Sequence, residues 1–229
     1  MGIVGAGAIA TPLNQRWSPE EAASAASGTD PISLIVCLRC GEKKVPHSNI
    51  ESRDSQLIST VIQIGKISTL ESICLISDDD DDGVRIRSCQ EFLQMLLTKH
   101  QDWKGKILSC FEEDATNADT WRWLHPPVEF GNTALLCFTS GSTGKPKAVA
   151  VTHRALMFQS LAKLSFVPYT SDSLFLHTAA LCHVGGLSSA HAMLMARGKH
   201  LFLPDFTAQG LLGAVEAFNV TAMIALPTM

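Results

Sequence analysis

The sequence predicts an α/β fold in which mostly parallel sheets are covered by helices, and three observations carry that prediction. From residue 131 onward apolar runs of strand length alternate with longer amphipathic stretches, the pattern of repeated strand–helix units. Several of those runs, such as Ala134-Leu135-Leu136-Cys137-Phe138, are apolar without alternation, as expected for strands buried on both faces. The composition, 46% hydrophobic and 17% charged over 229 residues, is that of a globular chain long enough to bury a core.

The elements come in this order. Ser18-Pro19-Glu20-Glu21 is a helix start: Ser18 can cap, Pro19 suits the first turn, and Glu21 completes a capping box. Gly28 ends that short helix, and Ile32 to Cys37 is a strand. A helix is predicted around Asp54 to Gly65, a strand over Ser72 to Ser77, a solvated acidic loop over Asp78 to Asp82, and a helix over Ser88 to Lys99. Five consecutive Asp lack the ligand spacing and closing Glu of a calcium loop. Residues 100–130 hold Trp103, Trp121 and Trp123 among Glu, Asp and Pro, and predict an irregular connection packed by aromatics. Beyond it, strands are expected at 133–138, 148–152, 173–177, 199–203 and 221–226. Helices are expected at 154–166, 186–197 and 207–219. In the first of these, Met157, Leu161 and Leu164 share one face.

A net charge of -4 argues against a nucleic-acid surface, and no apolar run approaches the roughly 18 residues of a membrane span. Met1 to Ala10 is apolar but has no basic start and runs directly into Pro12-Leu13-Asn14, unlike a secretory leader. Cys37 and Cys40 form a lone CxxC without a second pair, so a zinc site is not expected, and the seven scattered cysteines read as reduced thiols.

The most informative stretch is residues 138–147, Phe-Thr-Ser-Gly-Ser-Thr-Gly-Lys-Pro-Lys, set between two apolar strands. Gly141 and Gly144 allow close approach of the backbone to an anion. Thr139, Ser140, Ser142 and Thr143 supply hydroxyl donors, and Lys145 and Lys147 supply charge. It is not the common nucleotide P-loop. Thr139 stands where that pattern needs its first glycine, and Pro146 follows Lys145 where Ser or Thr and a helix are required. A glycine- and serine-rich hairpin turn is the plainer reading of so short a motif. Ten consecutive positions of defined type favour a phosphate-holding loop.

These residues resemble the signature of the adenylate-forming superfamily, [YF]-T-S-G-[ST]-T-G-x-P-K-G, departing only where Ala148 replaces the last Gly. Two further stretches are similar to that superfamily: Leu176 to Leu187, with His183 before Gly185-Gly186, matches its acyl-pocket motif, and Thr11-Pro12-Leu13-Asn14 matches a segment near the end of its first subregion. Within it, Pro12 to Ser18, Gln159 to Lys163, and His183 to Ala190 with Ala192 to Met195 most resemble the plant 2-succinylbenzoate–CoA ligases of phylloquinone synthesis. The match is patchy over 1–130 and nearly continuous over 131–229.

The resemblance implies that both segments belong to one AMP-binding domain, 1–130 as part of its first subregion and 131–229 as the phosphate-loop and acyl-pocket subregion. It also implies an internal slice of the large N-terminal domain, truncated at both ends. The adenine and magnesium motif, the ribose-binding Asp and the terminal lysine would lie elsewhere, and the chain alone would be inactive. The implied activity is ligation of a small-molecule carboxylic acid to coenzyme A through an acyl-adenylate, with ATP and Mg2+. Thr139, Ser140, Gly141, Ser142, Thr143, Gly144, Lys145 and Lys147 would hold the phosphates. Lys147 would also neutralise the departing pyrophosphate, and His183 would line the acyl pocket or its gate. His153 and His177 read as structural, and His191 as a helix residue without assigned duty. The alternatives are a ligase for fatty or cinnamate-like acids, or a non-catalytic remnant. A chloroplast or peroxisome location follows if the plant resemblance holds.

Overall fold

The computed structural model describes residues 2–5, 7–38, 57–68, 70, 72–77, 106–109, 128–139, 146–203 and 206–225. The chain divides into two compact units. One gathers Met1–Pro12, Trp121–Thr139 and Ala148–Met229, and the other Leu13–Thr120 and Ser140–Lys147.

The unit containing Leu13–Thr120 is built on a parallel sheet of β1 (Ser33–Leu38), β2 (Ser72–Ser77) and β3 (Lys106–Ser109), in the order β1-β2-β3. Ser33 stands opposite Ser72, which in turn stands opposite Lys106. A short helix, Gly2–Gly5 (α1), belongs to the other unit, so here the first helix is α2 (Pro19–Ser27). Its start is the capping box expected from sequence. Ser18 Oγ accepts from the Glu21 amide at 3.2 Å, and the Ser18 amide donates to Glu21 Oε2 at 2.8 Å. Helical residues 57–65 (α3) bury Ile58, Val61 and Ile64 at helical spacing. Ala22, Ala26, Val36, Leu70 and Ile73 complete that core, with Leu13 and Trp17 against its edge.

β3 corrects one expectation. Residues 100–130 are not wholly irregular, because Lys106–Ser109 forms a strand. Only Ile107 and Leu108 in it are apolar, too short a run to show a period, and its pairing with β2 is what makes it a strand. The predicted helix at 88–99, the acidic run 78–82, Cys40 and the three tryptophans of 103–123 lie outside the described residues.

β4 (Thr133–Thr139), in the other unit, pairs with β5 (Lys147–Thr152), of which all but Lys147 belongs to that unit. Only residues 140–146 join them, and so short a connection requires an antiparallel pair. Ala134, Leu135, Cys137 and Phe138 are buried, as the unbroken apolar run predicts. Ala10 bridges to β4 alongside Leu135, its amide donating to the Ala134 carbonyl at 3.0 Å. Thr152 caps α4 (His153–Phe166) by accepting from the Ala155 amide at 3.1 Å.

A parallel sheet β7-β6-β8 comes next, made of β6 (Leu174–His177), β7 (Lys199–Phe202) and β8 (Ala222–Met223). Helix α5 (Val184–Met195) connects β6 to β7, and α6 (Ala208–Phe218) connects β7 to β8. α6 stops at Asn219, whose φ of 53° is a left-handed cap that Asn tolerates. β8 is shorter than the predicted 221–226.

Two local differences from expectation shape the surroundings of His183. α5 begins at Val184, not residue 186, so Gly185 and Gly186 form its first turn instead of a turn before it. On α4 the face of Met157 and Leu161 is the outward one (37% and 50% exposed), while Leu156 and Ser160 are buried.

Candidate functional site

The predicted site residues fall into two groups. Thr139 is the last residue of β4 and Lys147 the first of β5, and both side chains are exposed. The strand pairing therefore sets a hydroxyl and an ammonium at the two ends of one short connection. Ser140, Gly141, Ser142, Thr143, Gly144 and Lys145 lie outside the described residues.

His183 is the second group. It lies in the loop beyond the C-terminal end of β6, as expected, because parallel sheets present their ligand-binding loops there. Its backbone is extended, at φ -106° and ψ 147°, and it is the N-cap of α5. Its amide donates to the Ala180 carbonyl at 3.1 Å, and its carbonyl accepts from the Leu187 amide at 3.0 Å. The ring makes no capping hydrogen bond and is exposed, so it is available to a ligand. Gly186 explains why the turn is glycine-rich. A Cβ there would stand 2.5 Å from the Ala180 carbonyl oxygen and 2.7 Å from that of Ala179, closer than atoms can pack. Gly185 faces open space. The second glycine thus lets the helix seat directly on the 179–180 backbone.

Sequence reasoning missed a polar seam between α4 and α5. Lys163 Nζ donates to Ser188 Oγ at 2.9 Å and to Ser189 Oγ at 2.8 Å. Both serines hand their protons to the Gly185 carbonyl, at 3.2 and 3.1 Å. Nearby on the same pair of helices, buried Ser160 donates to the Leu156 carbonyl at 2.9 Å and lies 2.7 Å from His191 Nδ1. Burial lowers the Lys163 and His191 pKa values. The seam's residues are ordinary helix residues in sequence, and only the packing of two helices reveals them.

His177 is structural, as read from sequence. It is 8% exposed and its Nε2 shares a proton with His200 Nδ1 at 2.9 Å. Its ring stacks on Phe202 at 4.4 Å. Burial, and then the neighbouring His200, push its pKa down from 6.5 to about 4, so it is neutral at physiological pH. His153 is the first residue of α4, its amide donating to the Asn132 carbonyl at 3.0 Å.

In the unit of α2 and α3, an open cleft of about 490 Å³ is lined in part by Ser24, Ser27, Asp30, Gln63 and Lys66. It contains none of the predicted site residues. Among the described residues, no group of three or more His, Cys, Asp or Glu is arranged to hold a metal ion, and no helix is long and apolar enough to cross a membrane.

Comparison with known proteins agrees with the motif. The AMP-binding enzyme family matches residues 1–229. A 2-succinylbenzoate–CoA ligase, chloroplastic/peroxisomal, from Arabidopsis thaliana is 32% identical over 225 residues, which are 97% of this chain and 34% of that protein. A malonate–CoA ligase from the same plant is 39% identical over 110 residues, 47% of this chain and 17% of its own length. Among solved structures, a fatty acyl CoA synthetase of Mycobacterium tuberculosis aligns over 99% of this chain and 36% of its own, with a TM-score of 0.60 at 19% identity. That likeness speaks to the fold, the α/β architecture of adenylate-forming enzymes. The chain belongs to the AMP-binding enzyme family. It spans about a third of the length of the Arabidopsis 2-succinylbenzoate–CoA ligase.

Proposed function

We propose that this chain is the phosphate- and acid-binding part of an acid–CoA ligase whose substrate is an aromatic dicarboxylate such as 2-succinylbenzoate. One observation carries the reading: residues 139–147, from the last residue of β4 to the first of the paired β5, include four hydroxyls, two glycines and two lysines. The substrate class is supported by the plant ligase, which aligns along nearly the whole chain.

In the proposed reaction a substrate carboxylate oxygen attacks the ATP α-phosphorus, the bond to the bridging oxygen breaks, and pyrophosphate leaves. The coenzyme A thiol, losing its proton, then attacks the acyl carbon, and AMP departs with its bonding pair. Thr139, Ser140, Ser142 and Thr143 donate hydroxyl hydrogen bonds to the β- and γ-phosphates. The Gly141 and Gly144 amides add donors, and Lys145 adds charge from the same loop. Lys147 stabilises the charge that grows on the departing pyrophosphate. The exposed His183 ring lines the acid's entry to its pocket. Mg2+, when bound with ATP, supplies positive charge at the phosphates, and the described residues offer it no three-ligand cluster of their own. A location in chloroplast or peroxisome accompanies this reading.

The test is pyrophosphate release and CoA-thioester formation by the full-length protein with 2-succinylbenzoate, a cinnamate, a fatty acid and malonate. Turnover of 2-succinylbenzoate, lowered by Lys147→Ala through kcat, is the expected result. Preference for a monocarboxylic acid overturns the substrate class, and no turnover of any acid overturns the ligase reading.

A further inference from the structure

Lys163 has two neutral hydrogen-bond partners, Ser188 and Ser189, and no acidic partner among the described residues. A lysine placed only for solubility points into water. This one is half-buried and directed at α5, where it meets two serines whose own protons are already committed to the Gly185 carbonyl. The ammonium is thus joined, through two hydroxyls, to the first turn of α5. That turn also rests on the Ala179 and Ala180 carbonyls through the bare α-carbon of Gly186. His183 immediately precedes it, its amide tied to Ala180 and its carbonyl to Leu187. The turn has little freedom while both anchors hold. Without the lysine, each serine can rotate away, and the turn keeps the Gly186 contact, its own helical hydrogen bonds and the weaker bond of Gln159 Nε2 to the Ser188 carbonyl at 3.4 Å.

We propose that Lys163 is a positioning residue: bridging from α4 to Ser188 and Ser189, it fixes the first turn of α5 and so aims the His183 ring at the incoming acid. Ser160 and His191, 2.7 Å apart on the same pair of helices, lock the two helices in register one turn further on. The inference deepens the ligase reading and rests on it for the role of His183. The anchoring of the turn itself is independent of any reaction.

The experiment has two arms, each comparing Lys163→Met and Lys163→Arg with the natural full-length protein. In the first, hydrogen–deuterium exchange follows the amides of Leu187 to Ser189. Lys163→Met is expected to speed their exchange about tenfold, the scale of one lost charge-assisted hydrogen bond. The rest of α4 and α5 should be unchanged, and Lys163→Arg should restore most of the protection. In the second, KM for the acid rises about tenfold in Lys163→Met while kcat and KM for ATP stay within about twofold, again with rescue by Arg. Unchanged exchange at the turn overturns the proposal, whatever the enzyme turns over. Exchange that quickens evenly along both helices overturns it too, since that describes a lysine that merely holds the fold. If the natural protein turns over no acid, the ligase reading fails and the exchange arm alone decides the anchoring. A local change in exchange with an unaltered KM for the acid overturns the link to substrate.

Discussion

Gly185 and Gly186 are adjacent in the first turn of α5, yet alanine should act on them with opposite sign. At Gly186 an added methyl would lie 2.5 Å from the Ala180 carbonyl oxygen, 2.7 Å from that of Ala179 and 2.9 Å from the Ala180 carbonyl carbon. All three neighbours are backbone atoms, so relief requires the helix start or the loop to move by more than about half an ångström. Overpacking of this kind costs typically 1–3 kcal/mol, and the helix propensity gained on leaving glycine returns at most about 1 kcal/mol. Gly186→Ala should therefore destabilise by up to about 2 kcal/mol. At Gly185 nothing lies within 4 Å of the added methyl, so only the propensity gain remains, a stabilisation of up to about 1 kcal/mol. Urea titration of the two variants at matched m-values measures the difference, expected at about 1–3 kcal/mol because the propensity gain cancels between them. Equal stabilities, or a more stable Gly186→Ala, would refute the seating of α5 on the 179–180 backbone.

Three further outcomes can be checked in the same protein. Ser18→Ala removes one half of the capping box and should lower stability by about 1 kcal/mol in urea, with Glu21→Ala costing less. His177 titrates near 4 when folded and near 6.5 when unfolded, so the unfolded state takes up the proton first. Stability is full above pH 6.5 and falls as pH drops toward 4. His177→Phe should flatten that slope, leaving the smaller share due to His191 and His200, whose values burial also lowers. A slope identical to that of the natural protein would contradict the buried pair. Lys147→Ala should slow pyrophosphate release at saturating ATP by about a hundredfold, the usual effect of removing one contact to transition-state charge. Lys145→Ala should cost less, and equal small losses would return the loop to an ordinary hairpin turn.

What the sequence disclosed was local. The capping box of Ser18 and Glu21 involves residues three apart, and β2 was legible to its very ends because Ser72-Ile73-Cys74-Leu75-Ile76-Ser77 is bounded by polar residues. The 138–147 motif was legible because residue type and order alone define it. The rest depended on long-range partners. β3 owes its existence to pairing with β2. The start of α5 was placed two residues late because Gly185-Gly186 ordinarily signals a turn, and only the close approach of the Ala180 carbonyl explains glycine inside the helix. The outward face of α4 was the misleading one. Its core side carries Ser160 and sits beside Lys163, polar residues that a hydrophobic pattern assigns to water.

The two histidines of one short segment show why residue type alone does not mark a site. His177 ends β6 and His183 caps α5, six positions on, yet one ring is buried and the other exposed. In β6 the ring lies between Phe175 and Phe202 and against His200. One proton bridges the pair, and among the described residues His177 Nδ1 and His200 Nε2 have no partner. Charging that ring would put a cation in an apolar stack beside a second imidazole, so it stays neutral at physiological pH. His183 lies past the strand, where the backbone turns outward and the helix start leaves its ring uncapped and exposed. Helix geometry holds its main chain while nothing among the described residues holds its side chain, which suits the substrate contact proposed for it. On the proposed reading the bare Gly186 and the Lys163 bridge act together. They fix the backbone from which that free ring extends, so that its freedom is confined to χ angles.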